Sequence, residues 1–327
     1  MPTVVHTARS DPNHGPQRQI FQENGFQFVV PPPELDPFSE DDLIRILRNA
    51  EAVVAGSEPY TPRVIAELPK LRVIARWGVG FDAVNLAACD QAGVAVCTTP
   101  GVNHHSVAEH AIAMLLAVTR GFPRLEQDVR QKTWRLIPRP RAMGKTLGLV
   151  GLGRIGQATA TRAIGLGMNV IAYEPHPDQA FVQEWNIELV DLDTLLGRSE
   201  FVSLHCPSTP DTAKLINRQR IAQMKRGAVL INTARGSLVD EAALYEGLVS
   251  GHLGGAGLDV FQVEPLPLES PLLTLDNVLV SPHIGGTDWE SWYDTSRMVA
   301  EIIIGLHQGR WPEGCVQNLK GRTGWRW

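Results

Sequence analysis

Only four cysteines occur in the sequence, Cys89, Cys97, Cys206 and Cys315, and no two of them form a CxxC pair. Thiols scattered in this way argue against a zinc site or a disulfide framework, so no metal is expected and a reducing cytoplasm is the default compartment. Long apolar runs are missing as well. The longest, Ala111–Val118, is far too short to cross a bilayer, and the N-terminal MPTVVHTARSDPNH lacks the apolar stretch of a secretory signal. There is no dense basic tract: 30 Lys+Arg and 35 Asp+Glu are spread along the chain for a formal net charge of −5. Nucleic acid and anionic membrane are therefore not expected partners. With no internal repeat and no low-complexity segment, what remains is an ordinary soluble composition. At 327 residues, 43% of them hydrophobic and 20% charged, the chain can bury two cores.

Short Val- and Ile-rich runs alternate with helical patterns from end to end. Strands are expected at Thr3–Thr7, Phe26–Val30, Ala52–Ala55, Leu71–Ala75 and Val94–Cys97, with helices such as Ser39–Ala50 and Asn85–Ala92 between them. A second series follows residue 102. It opens with one long helix, Asn103 to Arg120, and an irregular Pro- and Arg-rich arm from Gly121 to Lys145. Strands follow at Leu147–Val150, Val170–Tyr173, Phe201–Leu204, Val229–Asn232, Gly257–Val260 and Val278–Ser281, and a last helix at Asp288–His307. Alternation of this kind predicts an α/β protein with parallel sheets covered on both faces.

The first motif that carries chemistry is Gly151-Leu-Gly153-Arg-Ile-Gly156. Three glycines in register are weak evidence alone, but here an apolar strand precedes them and a helix follows. A second strand then ends at Glu174. Gly151 allows the tight turn, Gly153 lets the backbone approach a pyrophosphate, and Gly156 lets helix and strand pack closely. A carboxylate at the end of the second strand suits ribose hydroxyls. S-adenosylmethionine proteins also use glycine-rich turns, so cofactor identity depends on residues further on.

Three later strand ends carry polar groups: Asn232-Thr-Ala-Arg235-Gly236, Leu258-Asp-Val-Phe-Gln-Val-Glu264-Pro265 and Ser281-Pro-His283-Ile-Gly285-Gly286. Reduction of a 2-oxo acid needs a cation for the carboxylate and polarised carbonyl, a proton donor for the new hydroxyl, and a group that tunes that donor. Arg235, His283 and Glu264 match these needs in turn. A carboxylate beside an imidazole favours its charged form and fixes its tautomer.

With these segments the chain resembles the D-isomer-specific 2-hydroxyacid dehydrogenase family, and most closely the catalytic core of D-3-phosphoglycerate dehydrogenases. The resemblance runs from about residue 52 to about 305 through RWGVGFDAVN, TTPGVN, SVAEHAIAMLL, GKTLGLVGLGRIG, LHCPSTPDT, LINTARGSLVDEAAL, GAGLDVFQVEPLP and SPHIGG. It implies two doubly wound domains. A Rossmann NAD-binding domain with a dimerisation arm, residues 103–288, is inserted into a flavodoxin-like substrate-binding domain made of 1–102 plus 289–327. The active site would lie in the cleft between them, in a homodimer.

Carried over by position, the resemblance makes Arg235, Glu264 and His283 catalytic and NAD the cofactor. Gly151, Gly153, Arg154, Ile155, Gly156, Glu174, Cys206, Pro207, Thr212, Thr233, Ala234, Asp259, His283, Gly285 and Gly286 become cofactor contacts. Arg76, Val79, Gly80 and Arg235 become substrate contacts.

The chain also departs from the pattern. Glu174 stands where Asp is usual, and the expected appended regulatory domain is not seen. His104, His105 and His176 have no assigned role, and the tail GRTGWRW is expected to be mobile. Formate dehydrogenases carry Gln at the Glu264 position, which disfavours that branch, and phosphite oxidation is a remote alternative. Phosphoglycerate dehydrogenases place a phosphate-binding arginine where this chain has Gly56, and Glu58 adds a negative charge nearby. Arg76, Arg135, Arg139 and Arg141 could compensate. A small unphosphorylated 2-hydroxy or 2-oxo acid is accordingly favoured. Phosphoglycerate and a non-catalytic NAD-sensing corepressor remain the alternatives.

Overall fold

The computed structural model describes residues 1–134, 136–320 and 324–327. They form two units, Met1–Asn103 with Asp288–Trp327, and His104–Thr287.

The first unit opens with β1 (Thr3–His6), α1 (Gln17–Glu23), β2 (Gln27–Val29), α2 (Glu40–Leu47), β3 (Ala52–Ala55), α3 (Pro62–Ala66), β4 (Val73–Arg76), α4 (Leu86–Ala92) and β5 (Ala95–Cys97). The strands run parallel in the order β2-β1-β3-β4-β5, a flavodoxin-like sheet. Period-two alternation drives the layering. Along β3, Ala52 and Val54 enter one core while Val53 and Ala55 enter the other. Asn85 caps α4 by accepting from the Ala88 N–H at 2.9 Å, and Gly93 ends it in the left-handed region at φ +71°. Ser39 precedes α2 as expected, but its side chain makes no capping bond.

The second unit contains α5 (His104–Arg120), α6 (Phe122–Arg130), β6 (Thr146–Val150), α7 (Arg154–Gly165), β7 (Asn169–Tyr173), α8 (Gln179–Glu184), β8 (Glu188–Leu189), α9 (Leu192–Arg198), β9 (Phe201–Leu204), α10 (Arg218–Gln223), β10 (Ala228–Asn232), α11 (Glu241–Val249), β11 (Leu253–Leu258) and β12 (Val278–Val280). Its seven parallel strands are ordered β12-β11-β10-β9-β6-β7-β8. The order reverses between β6 and β9, the switch point at which Rossmann sheets bind nucleotides. One face is buried by α9, α10 and α11, the other by α5 and α7. The last helix, α12 (Trp289–His307), belongs to the first unit and starts at an Asp288 cap.

Three expectations need correction. The stretch after α5 is not wholly irregular, because α6 occupies its first part with Pro123 in the opening turn, where a missing N–H costs nothing. A two-residue edge strand, β8, was not foreseen. The end of the tail is anchored: Trp325 Nε1 donates to Gly93 O at 2.8 Å, and Trp327 meets Phe26 and His307 edge-on. Residues 321–323 lie outside the described residues, as does Arg135. Among the described residues, no helix is long and apolar enough to cross a membrane, and no cluster of His, Cys, Asp or Glu could hold a metal ion.

Candidate active site

Every polar segment singled out in the second half of the sequence falls at the carboxyl end of a strand of the second unit. After β6, Gly151 takes φ +102°, and a Cβ there would sit 2.7 Å from the Cys206 amide nitrogen. A Cβ on Gly156 would lie 2.2 Å from Gly151 O, so only glycine lets α7 pack this close. Gly153 faces open space and caps α7 without a side-chain bond, which leaves the first-turn amides of Arg154 and Ile155 available to an anion. Glu174 Oε2 accepts from Leu152 N and Oε1 from His176 N, both at 2.9 Å, so this carboxylate ties the end of β7 to the glycine turn.

Cys206 and Pro207 follow β9. Burial pushes the Cys206 thiol up to about 11, so it stands protonated and unreactive. Thr212 Oγ1 donates to Pro207 O at 2.8 Å and accepts from Thr209 N at 2.7 Å, which closes the next turn. After β10, the Thr233 hydroxyl is buried with no partner among the described residues. The Ala234 N–H is held by Asn232 Oδ1 at 3.1 Å. An open glycine and uncapped first-turn amides at the switch point, with an orphaned hydroxyl after β10 at the same sheet edge, form a cradle that fits a dinucleotide.

Arg235 stands next to Gly236, whose Cβ would fall 1.9 Å from the Phe261 carbonyl carbon, so only glycine lets this turn press onto the 261–262 backbone. Its Nη1 donates to Ala234 O at 2.6 Å. Glu264 Oε1 accepts from Phe261 N at 3.0 Å and Oε2 faces His283 Nδ1 at 2.7 Å. Burial works to raise the Glu264 carboxyl, but the His283 hydrogen bond and charge, the Phe261 amide and the Arg235 charge outweigh it and hold the pKa below the ordinary value.

His283 has φ +54°, an uncommon conformation for a side chain of this size. The cause is local. Its N–H donates to Asp259 O at 2.8 Å, and the Asp259 carboxylate accepts from Ile284 N at 2.9 Å, Gly285 N at 2.8 Å and Ser281 Oγ at 2.5 Å. His110 Nε2 stands 2.9 Å from Ser281 Oγ and 3.5 Å from Asp259 Oδ1. Burial would raise the Asp259 carboxyl, yet these donors hold it below the ordinary value. The sequence offered Asp259 as a cofactor contact, and in the structure its carboxylate is already engaged by the loop carrying His283. Gly285 O accepts from Ser106 Oγ at 2.9 Å, and a Cβ on Gly285 would lie 2.9 Å from Asp259 Oδ2. Gly286 follows in the same turn. His110, Ser281 and Asn232 were given no role although each lies within a segment already quoted: their part in building the site shows only in the hydrogen bonds.

In the first unit, the amides of Val79 and Gly80 have no acceptor among the described residues, and Val79 is exposed. Thr99 N donates to Gly78 O at 3.0 Å and the Thr99 hydroxyl accepts from Gly78 N at 3.1 Å, which holds the turn. Arg76 differs from expectation: it is 7% exposed, and its Nε donates to Gly80 O at 2.8 Å. Glu58 differs more, because it is 0% exposed and offers no charge to solvent. Arg139 lies across Gly121, while Arg141 is exposed. His105 Nδ1 lies 3.5 Å from Arg162 Nη2, and its ring is tilted against that of His104 at 4.0 Å.

The chain matches the model of the D-isomer specific 2-hydroxyacid dehydrogenase NAD binding domain over residues 112–285. It is 38% identical over 287 residues to a glyoxylate reductase of Korarchaeum cryptofilum, covering 86% of each chain. It is 42% identical over 272 residues to a D-3-phosphoglycerate dehydrogenase of Mycobacterium bovis, covering 82% of this chain but 51% of that one. The chain thus spans about half the length of that phosphoglycerate dehydrogenase. A solved structure of a Thermus thermophilus protein superposes with a TM-score of 0.87 at 36% identity, covering 96% of this chain and 99% of the other. The chain belongs to the D-isomer-specific 2-hydroxyacid dehydrogenase family. It is an NAD-dependent oxidoreductase of the 2-hydroxyacid type.

Proposed function

We propose that this enzyme interconverts a small unphosphorylated D-2-hydroxy acid and its 2-oxo acid, with His283 as the proton donor and acceptor. The observation that carries the reading is the 2.7 Å contact between His283 Nδ1 and Glu264 Oε2 on a backbone clamped by Asp259. Glu264 holds the Nδ1–H, which leaves Nε2 to carry the transferable proton; Nε2 has no partner among the described residues. Bound NADH supplies the hydride to the 2-carbon. Arg235 polarises the carbonyl and pairs with the carboxylate. Val79 and Gly80 stay the substrate contacts that the family resemblance implies. As the carbonyl oxygen gains negative charge, His283 gives it the Nε2 proton and becomes neutral. Glu264 offsets the charge on the ring before that transfer.

The cradle at Gly151–Gly156, with Arg154 and Ile155, holds the pyrophosphate in this reading. Glu174 takes the ribose hydroxyls, and Cys206, Pro207, Thr212, Thr233, Ala234, Asp259, Gly285 and Gly286 line the rest. Size is inferred from Gly56: a side chain there would meet Glu58 Oε1 at 2.7 Å and Ala8 Cα at 3.1 Å, so this turn carries no cation for a distal phosphate. Glyoxylate and hydroxypyruvate are the substrates of this size proposed first. Four free thiols suit the cytoplasm. A homodimer is proposed on the exposed apolar groups of the 122–143 stretch, where Trp134 is 83% and Leu136 92% exposed.

The test is NADH consumption with glyoxylate, hydroxypyruvate, pyruvate and phosphohydroxypyruvate. Turnover favouring the unphosphorylated acids supports the reading. Preference for phosphohydroxypyruvate would overturn the substrate, and NADH binding without turnover would point to a sensor.

A further inference from the structure

Glu264 stands on the turn that follows β11, and much of that turn is open to solvent: Val263 is 61% exposed, and Gln262 beside it is exposed too. The bond from Phe261 N to Glu264 Oε1 closes the turn on itself. Two further bonds tie it to its surroundings, and both start from residue 262. The Glu241 carboxylate accepts from Gln262 N at 2.6 Å, and the Gln262 side-chain amide donates to Val239 O at 2.7 Å. The receiving segment is firm. Ile216 N donates to Leu238 O at 2.9 Å, Asp240 N donates to Ile216 O at 3.0 Å, and Leu238 and Val239 are buried. Glu241 is the first residue of α11, which Asp240 caps by accepting from the Ala243 N–H at 3.3 Å. A carboxylate is favoured there by the helix N-terminus. The same segment begins at the proposed substrate arginine. Asn232 Nδ2 donates to Arg235 O at 2.8 Å, and Gly236 lies against the 261–262 backbone. One stretch, residues 235–241, thus carries Arg235 at its start and grips the Glu264 turn at its end.

We propose that Glu241 is a positioning residue for the acid–base pair: with Gln262 it ties the turn carrying Glu264 to the segment carrying Arg235, and so fixes where Glu264 meets His283. The proposal rests on the functional reading above. The 2.7 Å contact of Glu264 with His283 Nδ1 tolerates little drift in the backbone that bears the carboxylate. Because Glu241 acts through that backbone, its effect on the rate should vanish once Glu264 no longer carries its charge.

The experiment is a double-variant cycle on the full chain, read as kcat/KM with glyoxylate and hydroxypyruvate and as NADH affinity by fluorescence. Glu241→Ala removes the acceptor and is expected to lower kcat/KM by roughly tenfold, with NADH affinity unchanged. Glu241→Gln keeps an oxygen for the Gln262 amide and is expected to stay within about threefold of the wild type. In a Glu264→Gln background, Glu241→Ala is expected to cost less than about twofold more. A folded Glu241→Ala enzyme with wild-type kcat/KM would overturn the proposal. So would a Glu241→Gln enzyme as impaired as Glu241→Ala, or an equal loss in both backgrounds, which is the mark of general loosening. If Glu241→Ala does not fold, Gln262→Ala takes its place in the cycle and is judged in the same way. A wild-type enzyme with no turnover, or a Glu264→Gln enzyme as active as the wild type, would overturn the functional reading itself. That result is distinct from an impaired Glu264→Gln enzyme beside an unaffected Glu241→Ala.

Discussion

The Asp259 carbonyl accepts the His283 amide at 2.8 Å while the Asp259 carboxylate takes the next two amides, so one buried aspartate fixes the backbone on which the proposed acid–base histidine stands. Asp259→Asn would set an NH2 group against one of these N–H donors. A stability loss of about 1–3 kcal/mol is expected, with turnover falling as His283 leaves its left-handed conformation. Denaturant unfolding and kcat check this. An equally stable and active variant would mean that the turn holds without the carboxylate.

Cofactor choice follows from Glu174. Its two oxygens already hold Leu152 N and His176 N, and a carboxylate in this place repels a 2′-phosphate. The wild type is expected to prefer NADH over NADPH, and Glu174→Ser to narrow the gap by weakening NADH. Comparable kcat/KM for both cofactors in the wild type would contradict this.

Acid should weaken the fold through two buried histidines. His6, in the first unit, and His205, in the second, are both buried, and burial pushes each pKa down to about 4. In the unfolded chain a histidine titrates near 6.5, so between these values the unfolded state binds protons that the native state refuses. Stability is therefore lost as pH falls through this window, by roughly 2 kcal/mol per histidine at pH 5. Unfolding curves at pH 7 and pH 5 test the sign, and His205→Asn should reduce the difference. A wild type equally stable at both pH values would contradict it.

The anchored tail is expected to be structural alone. Trp325→Ala removes the bond to Gly93 O and half-buried ring contacts, at a cost of about 1–3 kcal/mol. Thermal melts should shift down while KM for the acid stays put.

The strands were readable because parallel strands buried on both faces show as continuous Val and Ile runs; Ala52–Ala55 and Phe201–Leu204 fall where those runs do. β8 escaped notice because Glu188 and Leu189 are exposed at the sheet edge and carry no apolar pattern. α6 was hidden by its polar composition. The glycine turn was legible because Gly151 and Gly156 answer backbone collisions that no other residue survives. Glu58 was read only as a negative charge near Gly56, and its burial was not foreseen. Its burial is a tertiary event: the acid folds over Gly56 toward Ala8, which comes from another strand end. Asp259 was found, but its grip on the His283 loop is a matter of geometry that spacing does not carry.

The most direct test of the central claim is the turnover of His283→Ala measured beside its NADH affinity. The rate with the preferred 2-oxo acid is expected to drop by roughly 10²–10⁴ while NADH binds as in the wild type. Near-normal turnover by the purified variant would contradict the assignment of His283, and with it the pairing to Glu264 on which the proposed chemistry rests.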